Sequence, residues 1–152
     1  MGEMRAAAAP DRLQAILGSC VGLVLFDHKA GLAALAHIML PDAGREDPPR
    51  PGKFATSALP SLMDMLLRRG AARGSIKAKI AGGAAMFKLK PATASLLDIG
   101  LQNTTKVKEL LKAEGISLLG EHCGGGRGRR IMFDPATSGM TVEVMGQEKE
   151  EL

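Results

Sequence analysis

The sequence has 152 residues, of which 45% are hydrophobic and 24% are charged, and its formal net charge is +4. This length fits one compact domain, and the charge is too small for a protein that binds nucleic acid through basic tails. No apolar stretch at the start is long enough for a secretory signal or a membrane span, so we expect a cytoplasmic protein in which Cys20 is a free thiol.

The first half of the chain predicts strands. Residues 1–12 are rich in alanine, and we expect a frayed lead-in to a single domain over residues 13–146. A short strand is predicted around Leu13 to Leu17. The apolar runs Val21–Phe26 and Leu32–Leu40 flank a short polar turn, a pattern typical of a β-hairpin.

This hairpin brings Cys20 close to His37. If its loop is centred on residues 28 and 29, the two residues lie directly opposite each other, with Cβ atoms about 4.5 to 5.5 Å apart. A four-residue loop makes them diagonal neighbours on one face at about 7 to 8 Å, whereas a slip by one residue places them on opposite faces. A thiolate attacks carbonyl carbon, and an adjacent imidazole lowers the pKa of the thiol or takes its proton. The pair therefore predicts a nucleophile and its base, although a lone cysteine among apolar residues is more often inert packing.

Two helices are predicted further along the chain. Apolar residues between Thr56 and Arg69 recur at helical spacing, with Thr56 or Ser57 as the cap. Asn103 and Thr104 are predicted to cap a second helix that ends near Glu114.

The remaining elements are strands. Residues 76–80 alternate apolar side chains with lysine, and a further strand is predicted over residues 116–119. Residues 131–133 and 141–145 are predicted to form a terminal hairpin, and residues 147–152 a charged tail. This order of elements predicts an α/β fold, a layered sandwich in which helices pack against a twisted mixed β-sheet.

Two glycine-rich segments invite other interpretations. Gly82 and Gly83 let another backbone come close, either a neighbouring strand or a substrate chain, but the spacing is not that of a phosphate-binding loop. Residues 120–130 are basic and glycine-rich, yet no aromatic residue is present to stack on a base, so we expect no nucleic acid. We interpret this segment as a loop with a structural role, in which Arg127, Arg129 and Arg130 can meet an acidic surface of a receptor or of another partner. With three histidines and two cysteines in the chain, we expect no metal site and no cofactor.

Seven short segments follow one another along the chain: LGSCVG at residues 17–22, HxMLP at 37–41, GAxR at 70–73, KIAGGAAMF at 79–87, IGLQN at 99–103, EGI at 114–116 and GGGRGRRIMF at 124–133. In this order and at this spacing they resemble the CheD family of chemoreceptor glutamine deamidases. The resemblance covers nearly the whole chain. It implies the same layered architecture.

The resemblance also implies an activity. The family hydrolyses selected receptor glutamines to glutamate through a cysteine thioester, in bacterial and archaeal chemotaxis adaptation, and can also act on glutamate methyl esters. Cys20 and His37 match the nucleophile and the base, seventeen residues apart as in the family. We expect four further residues at the substrate: Ser19, Gly82, Gly83 and Asn103.

Three residues depart from the family pattern. Gln14 stands at the third catalytic position in place of threonine, Gln102 in place of arginine, and His122 in place of aspartate. The amide oxygen of Gln14 can still accept a hydrogen bond from the imidazole of His37. Two hypotheses follow, an active deamidase or a binding module that has lost turnover, and Gln14 discriminates between them.

The resemblance also implies the partners. We expect the protein to act on the cytoplasmic helices of chemoreceptors and to dock to a CheC-type phosphatase. We expect a monomer that does not insert into the membrane.

Overall fold

The strands form two stacked sheets in the computed structural model, which describes residues 1–86 and 98–152. The five-stranded sheet contains, in spatial order, β1 (Met4–Ala8), β4 (Leu32–Ile38), β3 (Val21–Asp27), β5 (Ile76–Gly82) and β6 (Leu118–Cys123). The four-stranded sheet contains β2 (Leu13–Leu17), β7 (Arg129–Asp134), β8 (Gly139–Val144) and β9 (Lys149–Glu151). Strands β5 and β6 run parallel, and all other neighbours within each sheet are antiparallel.

Helices α1 (Ala55–Arg68) and α2 (Ile99–Ala113) cover one face of the five-stranded sheet. Successive residues of a strand point to opposite faces, so β3 contributes Leu23 to the core under the helices and Val24 to the core between the sheets. Phe133 of the four-stranded sheet belongs to this second core. The structure thus has three layers and confirms the predicted α/β sandwich with a mixed sheet, while the second sheet was not predicted.

Both ends of the chain are paired, contrary to prediction. Strand β1 runs antiparallel to β4, with Ala6 opposite Ala34 and Ala7 opposite Ala33. Strand β9 pairs with β8. The prediction of a frayed lead-in over residues 1–12 is therefore wrong from Met4 onward, because small alanine side chains permit close pairing with the alanines of β4. The charged tail predicted after residue 146 is likewise partly a strand.

The other predicted strands are confirmed as β2, β5 and the β7–β8 hairpin, and β6 begins two residues later than predicted. Both helices are confirmed, but their caps are not. Phe54 precedes α1 without any side-chain cap, so the predicted caps at Thr56 and Ser57 are wrong. Helix α2 begins behind Asp98, whose carboxylate accepts a hydrogen bond from a backbone N–H of the first turn. Asn103 consequently lies inside the helix. No helix among the described residues has the length and apolar character needed to cross a membrane.

Candidate active site

Cys20 and His37 share the face of the five-stranded sheet that meets the second sheet. The register of β3 and β4 pairs Gly22 with His37 and leaves residues 28–31 as a four-residue loop. Cys20 precedes β3 by one residue, and its side chain belongs to the core between the sheets. The two side chains are therefore diagonal neighbours, an arrangement that separates them by about 7 to 8 Å. Of the two same-face registers, the one with directly opposed residues is wrong, and the four-residue loop is confirmed.

The four-residue loop between β3 and β4 is stabilised by Asp27, the residue that precedes it. One carboxylate oxygen accepts a hydrogen bond from the N–H of Ala30 at 3.2 Å, and the other from the N–H of Ala72 at 2.9 Å. Asp27 is only 2% exposed, so these bonds satisfy a buried carboxylate. An aspartate that bonds to the backbone ahead of it is a known turn signal, and it could have indicated this register from the sequence.

Burial determines the protonation states of the pair. Burial raises the pKa of the Cys20 thiol, an effect partly offset by the positive amino terminus. Burial lowers the pKa of the His37 imidazole, and the Glu3 carboxylate acts in the opposite direction. No hydrogen bond joins the two side chains in the described part of the chain. Both shifts favour a protonated thiol and a neutral imidazole, the pair of states in which a histidine can take the proton of a thiol.

The loop that carries Cys20 is bonded to the glycine-rich end of β5. Gly83 donates its N–H to the carbonyl oxygen of Cys20 at 2.8 Å, and Ala84 donates to that of Gly18 at 2.9 Å. Gly82 has a φ of +111°, and a Cβ there would overlap the carbonyl oxygen of Cys20. The backbone that approaches these glycines is therefore the protein's own nucleophile loop. Gly82 and Gly83 thus support the loop of Cys20, and their contact with substrate stays a prediction.

Asn103 links the two halves of the site. Its side-chain amide donates to the carbonyl oxygen of Met39 at 2.9 Å and to that of Ser19 at 3.3 Å. The first lies two residues after His37 and the second one residue before Cys20. Asn103 is completely buried, and it bridges the backbone around the two residues; its predicted contact with substrate is not seen in the free protein and stays a prediction. Ser19, half-buried, takes part through its backbone.

Two adjoining cavities, of about 400 and 510 Å³, share His37, Gln14 and Ala15 in their linings. The smaller is also lined by Glu3, Arg5 and Arg12, and the larger by Ile16 and Arg130. Gln14 is exposed, and among the described residues it makes no hydrogen bond to His37. Its role in orienting the imidazole stays a prediction.

Arg129 is not a surface residue, so its predicted contact with an acidic surface is wrong. It is 2% exposed, and its guanidinium donates to the carbonyl oxygens of His122, at 2.6 Å, and of Gly124. It also donates to Nδ1 of His122 at 2.7 Å. This imidazole therefore serves as the acceptor that an aspartate would be, which explains how histidine replaces the family's usual residue. Arg129 shares the parity of Ile131 on β7, a signal of burial that was available in the sequence.

The second cysteine lies elsewhere. Cys123 lines a separate cavity of about 510 Å³ together with His122 and the ion pair of Lys108 and Glu121, whose charged atoms are 3.0 Å apart. Burial raises the pKa of this thiol as well. Because the neighbouring His122 is bonded to Arg129, Cys123 has no comparably free base beside it. Of the two thiols, Cys20 is the one that shares a sheet face with His37.

The fold and the site define a class: an α/β protein with a cysteine and a neutral histidine on one sheet face, as thiol-dependent acyl-transfer enzymes require. The profile of the family described as "CheD chemotactic sensory transduction" matches residues 39–144. The chain belongs to the CheD family.

Full-length relatives extend the match across Cys20 and His37. A "Probable chemoreceptor glutamine deamidase CheD" of Methanococcus vannielii is 39% identical, over 98% of this chain and 95% of that protein. The protein of the same description from Clostridium kluyveri is 39% identical, over 100% of this chain and 94% of its own length. The "Chemoreceptor glutamine deamidase CheD" of Bacillus velezensis is 39% identical, over 97% of this chain and 90% of its own length.

Proposed function

We propose that this protein hydrolyses glutamine side chains of chemoreceptors to glutamate, in chemotaxis, with Cys20 as nucleophile and His37 as base. The observation that carries the proposal is the placement of a buried thiol and an imidazole on one sheet face, with two cavities lined by that imidazole. The names of the full-length relatives agree with this chemistry.

The reaction follows from the two protonation states. His37 takes the thiol proton as the sulfur of Cys20 attacks the amide carbon, and the resulting imidazolium then protonates the leaving nitrogen. Ammonia departs and a thioester remains. The neutral imidazole next activates a water molecule, which attacks the thioester carbon. Glutamate leaves and the thiol is restored. A glutamate methyl ester follows the same steps, with methanol as the leaving molecule.

The substrates we propose are glutamines on the cytoplasmic helices of chemoreceptors, which places the enzyme in the cytoplasm. Docking to a CheC-type phosphatase and a monomeric state are parts of the same proposal. A binding module without turnover is not favoured, because the cysteine, the histidine and the bonds that hold their loops are all in place.

Mass spectrometry of receptor fragments incubated with the protein tests the proposal. We expect selected glutamines to gain the mass difference between an amide and an acid. Cys20→Ala and His37→Ala should each abolish the change, because a nucleophile and its base act as a unit. Cys123→Ala is the matched control and should stay active. Fragments that bind without any mass change would establish the binding module instead.

A further inference from the structure

We propose that Arg5 and Arg130 make the enzyme prefer target glutamines that have an acidic side chain beside them on the substrate. This inference rests on the proposed deamidase function and names the substrate feature that the site selects. The two arginines belong to different sheets, yet each lines a cavity that also contains His37.

Strand register places Arg5 beside the base, whereas Arg130 lies on the outward face of the four-stranded sheet and meets His37 in the lining of the larger cavity. Arg5 of β1 pairs with Leu35 of β4, two residues before His37, so both arginine and histidine lie on the face toward the second sheet. Arg130 of β7 pairs with Ile16 of β2, two residues after Gln14. Arg130 and Ile16 are both exposed. A substrate segment that brings a glutamine to His37 through these adjoining cavities therefore comes near both positive groups.

Neither arginine is held in an ion pair by the described part of the chain. Within residues 1–86 and 98–152, neither Arg5 nor Arg130 forms an ion pair, whereas Arg12 in the same lining is paired with Asp134 at 3.2 Å. Glu3 is the acidic residue among the cavity linings, and Glu143 lies across from Arg130 on β8 without bonding to it. Exposed positive charge around a cleft attracts and orients an acidic ligand and disfavours a basic one.

The reaction itself supplies such acidic groups. Each turnover replaces a neutral amide by a carboxylate, so a glutamine near an earlier product site gains an acidic neighbour. On a helix the neighbour that shares a face is three or four residues away. Deamidation of one glutamine should therefore accelerate that of a second at this distance, which gives the receptor sites an order of modification.

Three helical peptides test the proposal. Each peptide carries one glutamine. The residue four positions from this glutamine is glutamate in the first peptide, serine in the second and lysine in the third. We expect wild-type kcat/KM to fall in that order, by about two- to fivefold per step, the range of an exposed ion pair. High salt should reduce the differences in kcat/KM among the three peptides. Arg130→Gln should reduce the preference for glutamate, and Arg130→Glu should favour the lysine peptide.

Arg127→Gln is the matched control, because it removes the same single positive charge as Arg130→Gln. Arg127 is exposed and donates to the carbonyl oxygen of Met145 at 3.2 Å, away from the lining of both cavities, so its variant should retain the full preference. Equal wild-type kcat/KM for the three peptides would overturn the inference and leave the deamidase function standing. A preference that persists in the double variant Arg5→Gln, Arg130→Gln would also overturn it. Failure of every peptide and of intact receptor fragments would overturn the function itself.

Discussion

The side-chain amide of Asn103 holds the carbonyl oxygen of Met39 at 2.9 Å, and the same nitrogen reaches the backbone before Cys20. A residue from helix α2 thus fixes the distance between the strand end that carries the base and the loop that carries the nucleophile. The Oδ1 atom of Asn103 is buried and has no partner among the described residues. An unpaired buried acceptor is costly, which is consistent with a side chain selected for the geometry of the site.

Replacement of Asn103 by alanine should damage catalysis more than binding. Two buried carbonyl groups would lose their donor, and we expect the free energy of unfolding to fall by about 1 to 3 kcal/mol. The measurement is kcat and KM together with denaturant unfolding. We expect a large fall in kcat with KM nearly unchanged. Val107→Ala, in the core on the same helix, is the control for lost stability alone, and an equal loss of kcat in that variant would refute the orienting role.

The pH dependence of kcat/KM should report His37. Because burial lowers the pKa of this imidazole, the neutral base persists below its ordinary value of 6.5, and the acid limb should lie below that pH. Glu3 raises the pKa of His37, so Glu3→Gln should move the limb to still lower pH. Glu46→Gln, remote from these cavities, is the control. An acid limb above pH 6.5, or one that Glu3→Gln moves upward, would contradict this assignment.

The pH dependence of Cys20 alkylation should be that of a thiol that is protonated in the free enzyme. Burial raises the pKa of this thiol above the ordinary 9.0, so the iodoacetamide rate should still be rising at that pH. Peptide mass mapping distinguishes Cys20 from Cys123. Because no thiolate–imidazolium pair exists at rest, His37→Ala should leave the midpoint nearly unchanged. A plateau below pH 8 that His37→Ala removes would indicate a preformed ion pair.

Gln14 should act on the imidazole once substrate is bound. Catalytic hydrogen bonds are often absent from a free enzyme and form in the complex, and Gln14 lines both cavities beside His37. Loss of one orienting bond costs about 1 to 3 kcal/mol, so Gln14→Ala should lower kcat by about one to two orders of magnitude. Gln14→Thr should restore part of it. Unchanged kcat in Gln14→Ala would remove the residue from the mechanism.

Gly82→Ala should lower the activity, because a side chain at this position would distort the backbone that supports Cys20. The positive φ and the overlap with the carbonyl oxygen of Cys20 both oppose a side chain there, and such strain costs on the order of 1 to 3 kcal/mol. Unfolding free energy and kcat should fall together. Gly74→Ala is the control, since its φ is ordinary and a Cβ there meets no atom within 4 Å. Full activity in Gly82→Ala would show that the nucleophile loop tolerates displacement.

Local patterns in the sequence predicted most elements and the Cys20–His37 pair, because strand alternation and helical spacing are local properties. The second sheet was missed because β3 is buried on both faces, and a continuous apolar run does not reveal what covers each face. The role of Asn103 was missed because its two partners are backbone carbonyls more than sixty residues away. The burial of Arg129 could have been predicted from the sequence. It lies two residues before Ile131 on the same strand, so both side chains point to the core.

The nucleophile lies in the crossover between two layers. Residues 18–20 leave β2 in the four-stranded sheet and enter β3 in the five-stranded sheet, while His37 is fixed within the latter. The bonds from Gly83 and Asn103 hold this crossover to the five-stranded sheet, so the alignment of the sulfur with its base depends on how the crossover is anchored and not on the four-stranded sheet alone.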